Sequence, residues 1–361
     1  MSQGVCIDRF AAPWFLSMRV MPSIMLAAEQ MMAPLKSQFG SSARTQGSRP
    51  PRSLRCSQLL AAGCMLIAGA AGAADRNSTP APPAGSALKI YISVDMEGVA
   101  GVVTADQLLP GGFEYERFRR FMTDETLAAV RAAKQAGATE ILVSDSHGNG
   151  ENLLIEAFPK DVRIVRSWPR HGAMMSGLDK SFAAAIFVGY HASTTNTKGV
   201  RAHTFSSAHL TRVALNGTAV TEGEFNAAYA GEFGVPIIFA SGDDAAIAEI
   251  KARLGNMDTV ITKTNLGFHA ADTLTPAASC DLIFEGVLHA MEHRTQRRAT
   301  IVTKPVTLEL TFKNYMPAEV LSYLRSVERV DSHTIRFVGS DMKELADFVD
   351  VVERYNPDLA P

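Results

Sequence analysis

From Leu88 onward, short apolar runs alternate with longer stretches whose apolar residues recur every three to four positions. The runs Leu88–Val94, Glu140–Ser144, Val162–Val165, Ala183–Val188, Ile237–Ala240 and Val260–Thr262 have strand length and predict buried β-strands. Between the first two, residues 116–135 predict a helix, with Phe118, Met122, Ala129 and Ala133 along one stripe and Gly137 as its stop. Residues 222–233 predict a second helix, and a third runs to Leu254, capped by Asp243 or Asp244. Val213–Leu215 leads into an Asn216-Gly217 turn. Apolar runs alternating with helices argue for an α/β fold: a mostly parallel sheet covered by helices on both faces.

Beyond Pro276 the pattern changes. A helix over 281–292 is followed by an alternating strand over 306–312, in which Leu308 and Leu310 share one face and Glu309 and Thr311 the other. Residues 317–325, 334–338 and 342–352 then read as helix, strand and helix. We therefore expect a catalytic α/β domain over 88–272 and a smaller β-α-β-α domain over 273–361, the latter suited to oligomer contacts.

The first 87 residues lack this periodicity. Residues 1–55 read as a non-native or disordered extension. Residues 56–74 read as a signal-like segment: basic Arg52 and Arg55 precede an apolar run from Leu59 to Ala71, which ends at the small-residue site Ala71-Gly72-Ala73. That run is too short to span a membrane. Ala61-Ala62-Gly63-Cys64 resembles a lipidation box, but the apolar stretch before it is very short. Residues 75–87, with Pro80, Pro82 and Pro83, read as a linker. The expectation is an exported, periplasmic protein whose mature form keeps no membrane span.

A net charge of -2 leaves no electrostatic footprint for nucleic acid. Cys6, Cys56 and Cys64 precede the body, which holds Cys280 alone, so neither a disulfide framework nor a Cys-x-x-Cys zinc site is available. Any metal ligands are histidines and carboxylates.

Those residue types gather at strand ends. The first run ends in Asp95-Met96-Glu97-Gly98, two acids on one face of an extended chain. Two buried carboxylates there need a cation or a shared proton. Later runs end in Asp145-Ser146-His147 and Tyr190-His191, and Ala202-His203-Thr204 follows. In parallel sheets, sites form at such carboxyl ends. Asp95, Glu97, His147, His191 and a later acid make a nitrogen and oxygen ligand set suited to zinc, in a number that fits two metals about 3.5–4 Å apart.

The words Ser93-Val94-Asp95-Met96-Glu97-Gly98, Ser144-Asp145-Ser146-His147, Gly189-Tyr190-His191-Ala192, Gly199-x-x-x-His203-Thr204 and Glu222-x-x-x-Asn226-Ala227 resemble, in order, those of the zinc-dependent D-aminopeptidases encoded with dipeptide-transport operons. The resemblance covers Leu88 to about Val352. It implies a dinuclear zinc site with Asp95 bridging, Glu97, His147, His191 and Glu222 as further ligands, and His203 as an active-site histidine. The step from His191 to His203 is one residue longer than the family pattern. The resemblance also implies ring-like homo-oligomers and short peptides with D-residues, such as D-Ala-D-Ala, as substrates.

Glu222 and Glu224 point about 200° apart on a helix, so only one faces the metals. The family word selects Glu222 and leaves Glu224 to solvent. Asp145 is expected to orient a histidine or its loop. Asn226 and Lys263 are further candidates around the site, Lys263 as a partner for a substrate carboxylate. Because a bridged hydroxide supplies the nucleophile, His203 is expected to act as acid/base or to steady the oxyanion. The remaining readings are hydrolysis of another amide or ester, or binding without turnover.

Overall fold

The structure is a computed structural model that describes residues 87–355. The signal-like segment and Cys64 lie outside that range, as does nearly all of the linker. In chain order the elements are β1 (Lys89–Val94), α1 (Ala105–Leu108), α2 (Tyr115–Gln135), β2 (Glu140–Asp145), β3 (Val162–Val165), β4 (Phe182–Tyr190), β5 (Leu210–Leu215), β6 (Thr218–Ala219), α3 (Glu222–Gly231) and β7 (Ile237–Asp243). They continue with α4 (Asp244–Leu254), β8 (Asp258–Gly267), β9 (Ala270–Thr273), α5 (Pro276–Glu292), β10 (Val306–Phe312), α6 (Tyr315–Leu321), β11 (Val327–Arg329), β12 (Thr334–Gly339) and α7 (Met342–Arg354).

The main sheet has seven strands in the order β3-β2-β1-β4-β7-β8-β9, all parallel except β9, which turns back on β8. Strand alternation splits its side chains between two cores. Ile90, Ile92 and Val94 of β1 join Val143 and Ile186 beneath α2 and α5. Tyr91 faces the other way, with Phe187 and Ala240, toward α3 and α4. Helices thus cover both faces, as the apolar runs predict.

The second sheet is antiparallel, in the order β11-β12-β10-β5-β6. β5 and β6 form the hairpin at Asn216-Gly217, both in left-handed conformation. β10 pairs with both β5 and β12. This sheet therefore draws strands from both sides of residue 272, while α5 packs on α2 and on β7 and β8 of the main sheet. Leu308, Leu310, Phe337 and Phe348 share one continuous core with Tyr91 and Phe187, and α7 packs on β10, β12 and α3. Among the described residues, no helix is long and apolar enough to cross a membrane.

Candidate metal centre

Asp95 and Glu97 leave the carboxyl end of β1, and His191 follows the neighbouring strand β4. Two glycines let these backbones meet. The Asp95 amide donates to the Val188 carbonyl at 2.8 Å and the Gly98 amide to the Gly189 carbonyl at 2.7 Å. A side chain on Gly98 would collide with the Tyr190 carbonyl, and one on Gly189 with the Asp95 carbonyl, at a left-handed position besides.

Two trios of metal-binding groups result: Asp95, Glu97 and His147, and His191, His203 and Glu222. Asp95 links them. Its Oδ1 lies 3.3 Å from His147 Nδ1 and its Oδ2 lies 3.1 Å from His191 Nε2. Glu97 Oε2 is 2.8 Å from His147 Nδ1, and Glu222 Oε2 is 3.4 Å from His191 Nε2. His203 Nε2 stands further back, 4.0 Å from Glu97 and 3.9 Å from Glu222, with its ring stacked on His191 at 4.0 Å.

Each histidine fixes one ring nitrogen on a backbone carbonyl: His147 Nε2 on Leu108 at 2.9 Å, His191 Nδ1 on Ala192 at 3.1 Å, His203 Nδ1 on Arg201 at 2.8 Å. Those bonds assign the protons and leave the other nitrogen of each ring as a lone pair aimed at the carboxylates. Lone pairs facing carboxylate oxygens at these distances repel unless a cation or proton lies between them. Asp95 Oδ2, Glu97 Oε2 and His191 Nε2 are buried without any aligned hydrogen bond, despite their close approach. Three carboxylates gathered among imidazoles leave a buried negative charge that bound divalent metal would offset. The donor set of imidazole nitrogens and carboxylate oxygens fits zinc.

The carboxylates' demand for positive charge shows at the rings themselves. Burial lowers the histidine pKa values, but Glu97 with Asp95 at His147, and Glu222 with Asp95 at His191, together outweigh it and raise both well above the usual imidazole range, the same attraction that a bound cation would satisfy. Burial and the neighbouring His191 instead keep His203 below that range, so it stays neutral. The centre opens into a cavity of about 240 Å³, lined also by Arg201, Phe205, Trp168 and, from α7, Glu353 and Arg354.

The D-aminopeptidase family model matches residues 88–351. The chain belongs to the D-aminopeptidase family. It is 32% identical over 260 residues to a D-aminopeptidase of Bacillus subtilis (strain 168), a match covering 71% of this chain and 93% of that protein. Among solved structures it resembles the Zn-dependent D-aminopeptidase DppA from Bacillus subtilis, a self-compartmentalizing protease. The TM-score is 0.70 at 30% identity, covering 74% of this chain and 99% of that one.

Around this family's peptidase site, the other candidates take supporting places. Asp145 accepts from the Asn152 amide at 2.6 Å, from Asn152 Nδ2 at 2.8 Å and from the Leu153 amide at 2.7 Å, and Asn152 Nδ2 donates in turn to the His147 carbonyl. It orders the His147 loop. Asn226 Nδ2 donates to Tyr190 Oη at 3.0 Å, and Tyr190 to Ser93 Oγ at 2.8 Å, in a polar layer under the centre. Lys263 is not available to a substrate carboxylate. It is buried and donates to the carbonyls of Glu97 and Val99, clamping the turn that carries Glu97. Glu224 is not solvated either. It is buried, closes the cap of α3 and pairs with Arg253 at 3.3 Å. The longer loop from His191 to His203 is tied down at Val200, whose amide donates to Asp243 Oδ2 at 2.7 Å. Sequence reasoning finds no chemistry beyond residue 276, yet Asp350, Glu353 and Arg354 line the cavity. No motif marks them, because only the packing of α7 brings them there.

Proposed function

We propose that this protein is a zinc-dependent aminopeptidase that removes D-residues from the amino end of short peptides of the D-Ala-D-Ala type. The observation that carries this reading is the position of Asp95, whose two carboxylate oxygens approach His147 of its own trio and His191 of the other. Asp95, Glu97 and His147 would hold one zinc ion, and Asp95, His191 and Glu222 the other. When bound, the ions supply Lewis acidity toward the scissile carbonyl and an activated water.

The chain's own groups do the rest. Lys263 and the glycine contacts fix the Glu97 turn. The Arg201 carbonyl holds His203 in the tautomer that faces Nε2 to the cavity. Neutral there, His203 accepts a proton as water adds to the peptide carbonyl and returns it to the departing amine. Its stand-off from the carboxylates, longer than that of His147 or His191, supports a catalytic rather than a ligand role. Export to the periplasm and assembly into a homo-oligomer complete the proposal, the former from the leader pattern, the latter from the self-compartmentalizing relative.

The test is zinc content together with D-alanine release from D-Ala-D-Ala, on wild type, Asp95→Ala and His203→Ala. We expect about two zinc ions per wild-type chain. Asp95→Ala should lose both, and His203→Ala should keep them with turnover reduced by roughly 10²–10⁴-fold. If His203→Ala empties the site, His203 is a ligand and the division of roles is wrong. If zinc-loaded wild type releases no D-alanine, the substrate assignment falls.

A further inference from the structure

Arg201 is a half-buried cation on the wall of the metal-centre cavity, and it has no anionic partner there. Its guanidinium makes no hydrogen bond or ion pair among the described residues, and its Nε is buried without an acceptor. The other arginines of this region are engaged. Arg170 donates to Ser144 Oγ and to the carbonyls of Ala173 and Asp145, while Arg354 lies 3.7 Å from Asp350 and reaches the Gly148 carbonyl. A charge withdrawn from water is costly unless it is paired.

Arg201 is nevertheless held in a definite place. Its amide donates to the Phe268 carbonyl at 3.0 Å, and its guanidinium lies over the Phe268 ring, 5.4 Å from the centroid. Its backbone is in the left-handed region at φ 55°, a conformation an arginine adopts only when its surroundings impose it. The same residue's carbonyl holds His203 Nδ1, so the cation is fixed relative to the catalytic imidazole. A planar guanidinium fork matches a carboxylate.

We propose that Arg201 binds the free C-terminal carboxylate of the peptide substrate and so restricts the enzyme to very short peptides. This inference rests on the aminopeptidase reading above. A cavity of about 240 Å³ has room for a peptide of that length. With the carboxylate held at Arg201, the substrate's direction is set as well. The amino-terminal residue lies at the metals and the carboxylate at Arg201.

The experiment compares D-Ala-D-Ala with D-Ala-D-alaninamide on the zinc-loaded full chain, wild type, Arg201→Ala and Arg201→Lys. In parallel, calorimetry measures binding of the analogues in which the scissile amide is a CH2–NH link, again as free acid and as amide. Wild type should favour the acid by ~10-fold or more, through KM rather than kcat. Arg201→Ala should bring the acid-to-amide ratio close to one, and Arg201→Lys should recover part of it. An equal loss on acid and amide would show that Arg201 only shapes the His203 loop and would overturn the proposal. A preference that survives in Arg201→Ala, or one absent from wild type, would overturn it too. If wild type binds the acid analogue preferentially through Arg201 but hydrolyses neither peptide, the aminopeptidase reading fails while the carboxylate site stands.

Discussion

Glu125 lies wholly buried on α2 and accepts from the Ala100 amide at 3.0 Å and from Ser279 Oγ at 2.7 Å, beneath the turn that carries Glu97. Burial pushes its carboxyl up to about 7, and burial pulls the Lys263 ammonium nearby down to about 8. A carboxyl raised in the fold favours the protonated native state. Its contribution is therefore complete below the unfolded value near 4.5 and is lost as pH rises through about 7. That shift corresponds to ~3 kcal/mol across the window. Glu125→Gln keeps the acceptor and removes the titration. Urea denaturation followed by circular dichroism should show wild-type stability declining relative to Glu125→Gln between pH 5 and 8. Parallel curves would assign the burial cost elsewhere. At this scale the sequence discloses Asp95, Glu97, His147 and His191, because acids and histidines at the ends of apolar runs have few other reasons to be there. It does not disclose Arg201, Glu353 or the burial of Glu224, whose roles come from partners distant in the chain. Lys263 shows the same limit: its position after an apolar run is legible, but its direction, down onto two carbonyls rather than out into the cavity, is not.

The start of α3 delivers Glu222 to the centre. Thr221 Oγ1 accepts from the Glu224 amide at 2.9 Å, and the Thr221 amide donates to the Glu224 carboxylate at 2.9 Å, a reciprocal cap that fixes the first turn. Thr221→Ala should cost ~1 kcal/mol by loss of the cap. The cost should be larger with zinc bound than after chelation, because Glu222 then sits on a frayed turn. Denaturation midpoints of the loaded and chelated proteins test this, with Thr221→Ser retaining most of the difference. An identical loss in both states would confine the cap to helix stability. The long periodic elements are readable from the chain: α2, β1, β2, β4 and β10 fall within a residue or two of their predicted ends. β9, β11 and α1 are missed because three or four residues carry no measurable period and, unlike Val162–Val165 of β3, they hold no cluster of β-branched apolar residues to mark them. The pairing of β5 with β10, nearly a hundred residues apart, is missed because periodicity reports which face is buried and not what covers it.

At the scale of the whole molecule, two sheets share one core, into which α6 buries Ala318 while its other face stays exposed. Tyr315, Met316, Val320 and Tyr323 of α6 and the turn after it are exposed, Met316 at 61% and Tyr323 at 73%. Single exposed apolar residues are ordinary, whereas four within nine positions form a patch that needs a cover. In the homo-oligomer proposed above, that cover would be a second copy of this chain. Closed symmetry then requires the patch to recur at every contact of its type. Analytical ultracentrifugation at micromolar concentration should give a discrete homo-oligomer for wild type and a smaller species for Met316→Glu combined with Tyr323→Glu. Zinc content should stay the same in both, because α6 contributes no group to the metal centre. A monomeric wild type would remove the oligomer from the proposal. An oligomer indifferent to two buried negative charges would move the contact off α6, since glutamates facing their own copies across a dry interface repel and carry a desolvation cost that an apolar seam does not repay.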